Sequence, residues 1–245
     1  MYIMKTVQAV FVLLCCCLAC AQARTFTSKQ GDQLDAEFVS LGGTIVTLKG
    51  ADGKSYTIPL DGFSEKDQDY IRYQFLKGMV GRESPVNLKI RESKGKSSQK
   101  QDGPVLLTTW DAGYRISLEN TTGIPLENLI VQYGVFKFAA EVAGEKSSSG
   151  EVQGGWGVEK VAFVAPRKTF EFDSRKLPMR DVKLKGNTVW EGGGKRRNTD
   201  DLEGLWVRVY WKDILLLEFK SSESALAKET WSKDLPAPKT SGTHQ

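Results

Sequence analysis

Apolar residues recur at every second position through much of this chain, and that period marks half-buried β-strands. Between Arg24 and Pro59 the pattern is carried in short runs by Phe26, Leu34, Ala36, Phe38, Ile45, Val46, Leu48, Tyr56 and Ile58. Gly42-Gly43 and Asp52-Gly53 supply the positive φ angles that tight hairpin turns need. Pro59 ends the ladder because it has no N–H to donate. Ser64, followed by Glu65-Lys66-Asp67, predicts a helix N-terminus with acidic charge where the helix dipole favours it. Phe63 suits a hydrophobic staple, and Tyr70, Ile71, Phe75 and Leu76 continue an apolar stripe at helical spacing. The expectation for residues 24–81 is a five-stranded small barrel closed by a helix.

The second half repeats the strand signal. The runs VLLTTW, YRISLEN, LIVQYGVFKF, KVAFVA, KTFEF, LWVRVYW and ILLLEFK are β-branched or aromatic and bounded by turn residues. Alternation is strict in Tyr114, Ile116, Leu118 and again in Leu205, Val207, Val209, Trp211, which predicts one core face and one partly wet face. About seven such strands predict an antiparallel sandwich over 104–233. Lys212-Asp213 reads as a hairpin turn without the usual glycine. Pro125 and Asn128 suit a connection between sheets, Gly144 to Gly157 and Asn187 to Asp201 read as loops, and Ser221 to Trp231 as a helical block. Glu92 to Gly103 has no apolar side chain, so 82–103 reads as a basic flexible linker; 234–245 reads as a disordered tail. The fold class is mainly β, a small barrel, which the resemblance given below implies is SH3-like, followed by an immunoglobulin- or fibronectin-like antiparallel β-sandwich.

The N-terminus narrows the chemistry. Lys5, an apolar run from Val10 to Ala19 and the small-x-small pattern Ala21-Gln22-Ala23 read as a secretory signal peptide over 1–23. The run is shorter than the ~20 residues of a spanning helix, so no transmembrane anchor is expected after cleavage. The expected location is secreted or periplasmic, with lipidation at Cys20 as the alternative. All four cysteines lie in this segment, and the single histidine, His244, is penultimate. A mature chain therefore has no disulfide, and Cys-His nucleophiles, Ser-His-Asp triads and His- or Cys-ligated zinc are excluded. No catalytic residue, metal ligand or cofactor is assigned. Asp200-Asp201 reads as a solvated turn, and adjacent strand residues point to opposite faces. Loss of Lys5 lowers the net charge from +4 to +3, which does not call for nucleic acid.

The opening segment resembles a Sla homology domain of type 1, a small SH3-like peptide-binding module. The likeness rests on Arg24-Thr25-Phe26, Ala36-Glu37-Phe38, Val46 to Lys49, the Asp52-Gly53 turn, Ile58 to Leu60 and Ser64 to Asp67. Phe26 stands where many relatives carry Trp. The resemblance implies a groove for an Asn-Pro-Phe type motif, with Lys49, Lys54 and Tyr56 as peptide-binding candidates; the alternative is that both lysines are ordinary solvated charges.

Two further segments are candidates for surface binding. Trp156, set among glycines, is either displayed for stacking on a sugar or folded back as a lid. Lys195, Arg196 and Arg197 follow a glycine run, but a strand rather than a helix comes next, which argues against a phosphate cradle. Asn120-Thr121-Thr122 matches a glycosylation acceptor. The functional expectation is an exported, non-catalytic adaptor that takes a protein or peptide ligand. The alternative is an envelope- or carbohydrate-binding protein acting through sandwich loops.

Overall fold

The computed structural model describes residues 23–141, 150–191, 193–221 and 226–235. The predicted leader with Cys20, and the predicted tail except Asp234 and Leu235, lie outside the described residues. Strands dominate, as the period-two pattern requires, and the fold is the mainly β class expected.

Four strands, β1 (Arg24–Thr27), β2 (Gln33–Gly42), β3 (Ile45–Gly50) and β4 (Ser55–Pro59), form an antiparallel meander in that order. The expected fifth strand is reduced to a bridge between Ser28 and Phe63. Pro59 and the 3-10 turn Leu60–Gly62 redirect the chain, and Ser64 caps the helix α1 (Glu65–Met79) immediately afterwards. The Ser64 hydroxyl accepts from the Asp67 N–H. The buried Asp67 carboxylate then ties helix to strand: it accepts from Arg24 Nη2 at 2.6 Å, Thr27 N at 2.8 Å and Ser64 Oγ at 2.9 Å. Arg24 stacks over the Tyr70 ring at 3.9 Å, so its charge is held on two sides.

The sandwich has two sheets. β5 (Val86–Lys94), β6 (Ser98–Asp102), β7 (Val105–Asn120), β10 (Thr169–Asp173), β11 (Leu177–Leu184) and β12 (Arg197–Thr199) form one; β8 (Leu126–Ala140), β9 (Gly150–Val164), β13 (Asp201–Trp211) and β14 (Ile214–Lys220) form the other, in the order β14-β13-β8-β9. The 16-residue β7 organises the first sheet, pairing with β5 and β10 along its C-terminal half and with β6 and β11 along its N-terminal half.

Several segments differ from expectation. The 82–103 linker contains β5 and β6: β5 sets Val86, Leu88 and Ile90 against the sandwich core, while β6, all five of its residues exposed, is held by main-chain bonds to β7. Gly150 to Gly157 is not loop but the start of β9. Residues 226–231 are turn and coil rather than helix. Lys212 itself takes the positive φ, 54°, that a glycine would have supplied.

The small barrel and the sandwich share an interface. Asn120 is fully buried; its amide donates to the carbonyls of Ile124, Val164 and Ala165, and its Oδ1 accepts from Thr122 N and Oγ1. That network shapes the turn 121–124, a structural role that occupies the acceptor motif. It delivers Ile124 into the small barrel's core, beside Phe26, Val46, Leu48, Phe63 and Ile71. α1 faces both cores: Ile71 belongs to the small one and Leu76 to the sandwich. Lys212 completes the join by donating to Asp69 of α1 at 3.2 Å.

Candidate functional site

The core-facing register of β8 runs Leu129, Val131, Tyr133, Val135 and then Lys137, Ala139. The opposing register of β7 runs Leu118, Ile116, Tyr114, Ala112 and then Trp110. Both apolar faces therefore give way at the end of the sandwich remote from Ile124. There the sheets part around a cleft of about 680 Å³, lined by Trp110, Met179, Lys137, Arg180, Asp200 and Gln153 among others, within the usual ~300–1,000 Å³ of small-ligand sites. A neighbouring cleft of about 420 Å³ shares Trp110, Met179 and Asp200.

Asp200 sits on the floor. Only 2 % exposed, it is the reverse of the solvated turn expected. Its Oδ1 accepts from Ala140 N at 3.0 Å, and its Oδ2 from Lys137 Nζ at 3.1 Å and Arg180 N at 3.2 Å. Arg180 Nε lies 3.7 Å from Oδ1. An ionised buried carboxylate survives only when paired and hydrogen-bonded in this way. Lys137, with 9 % of its side chain exposed, also donates to Pro178 O at 2.6 Å. Its third ammonium hydrogen has no partner among the described residues. Arg180 Nη2 donates to Ala140 O at 2.9 Å, which fixes the guanidinium at the cleft wall.

Trp110 is half-buried and lines both clefts, with Lys94 Nζ 4.1 Å from its ring centroid. Beside it Asp181 accepts from Arg197 Nε at 2.9 Å and Thr199 Oγ1 at 2.7 Å. Burial raises the Asp181 pKa, but those two bonds with the nearby cations outweigh it, and the carboxyl is held below its ordinary range. Hydroxyl, amide, carboxylate and ammonium groups thus surround an indole face.

Of the sequence candidates, Arg197 lines the neighbouring cleft, and the others lie elsewhere. Trp156 lies in β9 on the outer face of the second sheet, half-buried against Phe136, Trp206 and Trp231 at 5.6, 6.4 and 4.9 Å between ring centroids. Its ring fills the space over Gly134, where a Cβ would stand 2.8 Å from it. Lys195 and Arg196 are exposed before β12 of the other sheet, and Arg197 is paired with Asp181. In the small barrel the Tyr56 hydroxyl donates to Asp52 at 3.0 Å, which raises the Tyr56 pKa, and Lys54 lies 3.4 Å from the same carboxylate. Lys49 pairs in register with Glu37 and Ser55. None of these three lines the clefts described here.

A smaller groove of about 310 Å³ does lie on the small barrel, between β2 and α1, lined by Phe38, Val39, Leu41, Phe75, Met79 and Arg82 among others. The β2 bulge between Phe38 and Ser40 leaves Val39 53 % exposed beside it. Lys137, Arg180 and Trp110 were not among the sequence candidates, and Asp200 was weighed only as a solvated turn. The available signal was Lys137, a lysine on the core-facing register of an otherwise apolar strand.

Comparison with known proteins adds no family. No family model matches the chain, and no curated protein matches it. Among solved structures, structural genomics target SoR45 is similar at 9 % identity and TM-score 0.25, over 50 % of this chain and 85 % of that one. A Bordetella pertussis protein given the name ApaA is similar at 16 % identity and TM-score 0.23, over 51 % and 94 %. At these scores neither likeness informs function. Among the described residues, no helix is long and apolar enough to cross a membrane.

Proposed function

We propose that this is an exported, non-catalytic binding protein whose sandwich takes a saccharide ligand of the cell envelope in the cleft beside Trp110. The observation that supports this reading is a half-buried indole set among polar groups at the open end of the sandwich. Aromatic faces and convergent hydrogen-bonding side chains are what a sugar ring engages. Asp200 already accepts three hydrogen bonds and contacts a second cation, which suits it to organise the cleft rather than to move protons. Retention of the chain from residue 24 on purified envelope polysaccharide tests the reading. Trp110→Ala should abolish retention and Trp156→Ala should leave it; the opposite pattern would move the site to the outer face.

A second reading keeps the Sla homology type 1 module as a peptide binder. The exposed Val39 at the bulge beside the β2–α1 groove favours it, with Arg82 at the rim for an acidic residue. It places the peptide away from Lys49, Lys54 and Tyr56. Titration with an Asn-Pro-Phe-Asp peptide should be sensitive to Val39→Asp and insensitive to Lys49→Glu if this reading holds.

A further inference from the structure

The cleft floor has an unbalanced charge. Lys137 and Arg180 both lie against the one carboxylate of Asp200, at 3.1 and 3.7 Å, so the triad carries a net single positive charge. Asp200 and Lys137 are almost wholly withdrawn from water. Charges so placed are weakly screened, whereas exposed ones are attenuated within a Debye length of about 8–10 Å. The remaining charged groups lining the main cleft, Lys96 and Asp111, are exposed and opposite in sign, and they cancel. The buried Lys137 and Asp200 charges offset each other, so the excess positive charge of the triad is that of Arg180, held at the cleft wall with 46 % of its side chain exposed.

The surroundings have the opposite character. Glu92 and Asp201 lie beside the neighbouring cleft together with one exposed cation, Lys94, and Glu141 and Glu151 lie beside the opening past Ala139 and Ala140; the four acids are exposed and outnumber that lysine. Asp181 and Arg197 neutralise each other. A polyanion reaching the floor would pass this acidic rim, while a ligand with one negative charge and an otherwise neutral body would not be repelled along its length.

Resting on the saccharide reading above, we propose that the cleft selects a monoanionic sugar, one carboxylate on an otherwise neutral ring. Lys137, through its unshared ammonium hydrogen, and Arg180 receive the carboxylate. Trp110 provides the face for the ring. Asp200 is a positioning residue that holds the two cations together and does not itself meet the ligand. Arg180 retains guanidinium hydrogens beyond the one given to Ala140 and has 46 % of its side chain exposed, so it can supply the second arm of the contact.

The test uses the chain from residue 24 with four probes, D-glucuronate, its neutral methyl ester, a polyuronate and a peptide with a free C-terminal carboxylate, followed by calorimetry at fixed ionic strength. Glucuronate should bind at least tenfold more tightly than the ester, and more tightly per ring than the polymer. Arg180→Gln should bring the ratio of acid to ester binding, both measured on that variant, close to one. Lys137→Met should lower the same acid-to-ester ratio, with a fall in the thermal midpoint from the broken buried pair, and where it does not fold Arg180→Gln carries the test. Equal binding of acid and ester, abolished by Trp110→Ala, would overturn the charge selection and leave the saccharide cleft standing. Binding of none of the probes, or binding indifferent to Trp110→Ala, would overturn the saccharide cleft itself. Preference for a peptide with a free C-terminal carboxylate over glucuronate would overturn the ligand class.

Discussion

The backbone of Gly123 in the sandwich passes so close to Gly43 in the β2–β3 turn that a Cβ on Gly123 would stand 3.2 Å from Gly43 Cα. Backbone cannot retreat as a flexible side chain can, so Gly123→Val should force the two units apart. Ile124 next to it is 1 % exposed, and Ile124→Ala should cost about 2–5 kcal/mol, as expected for emptying a buried aliphatic site. Urea denaturation of the chain from residue 24 checks both. The fragment 24–81 should give no cooperative transition, because Ile124 completes its core from outside.

Asp67 offers a second stability test. Asp67→Ala removes one carboxylate that holds Arg24, Thr27 N and the helix cap at once. A loss of about 2–4 kcal/mol is expected, above the ~1 kcal/mol of an ordinary cap because a backbone N–H and a cation are orphaned too. Ser64→Ala, which leaves the Arg24 contact in place, should cost nearer 1 kcal/mol in the same measurement.

The Lys137–Asp200 pair should show strong non-additivity. Either Lys137→Met or Asp200→Leu alone leaves a charge in a site that excludes water, and each should destabilise by about 3–5 kcal/mol. The double variant should be less destabilised than the sum of the two. A double-mutant cycle on thermal or denaturant midpoints measures the difference; simple additivity would show that the two charges do not depend on each other.

Alkaline stability follows from Tyr114. Burial pushes its hydroxyl up to about 12, with the Glu92 and Glu203 charges adding to the shift. The unfolded chain loses this proton near pH 10 and the folded one holds it, so the contribution is complete below pH 10 and is lost as pH rises through 12. Tyr114→Phe should flatten the fall in stability across that window, read from urea midpoints at successive pH values.

Legibility in the sequence depended on where each strand's stability comes from. Runs with an apolar face, such as Leu129 to Val135 or Leu205 to Trp211, were plain because burial writes itself in the pattern. β6 was not, since its five exposed residues are held by main-chain bonds to β7. Trp156 was read as a loop residue because glycines surround it. In the structure Gly134, across the strand pair, leaves room for its ring, and Gly154 does the same for Phe136. The cleft was least legible: Asp200, Lys137 and Arg180 are far apart in sequence, and only the register between sheets brings them together.

β7 also separates two kinds of business. From Thr109 at the cleft to Asn120 at the barrel seam it extends roughly 35 Å at ~3.3 Å per residue. An object bound at one end cannot touch one bound at the other. The proposed saccharide cleft would thus lie at one end of this strand and the small barrel with its Val39 groove beyond the other.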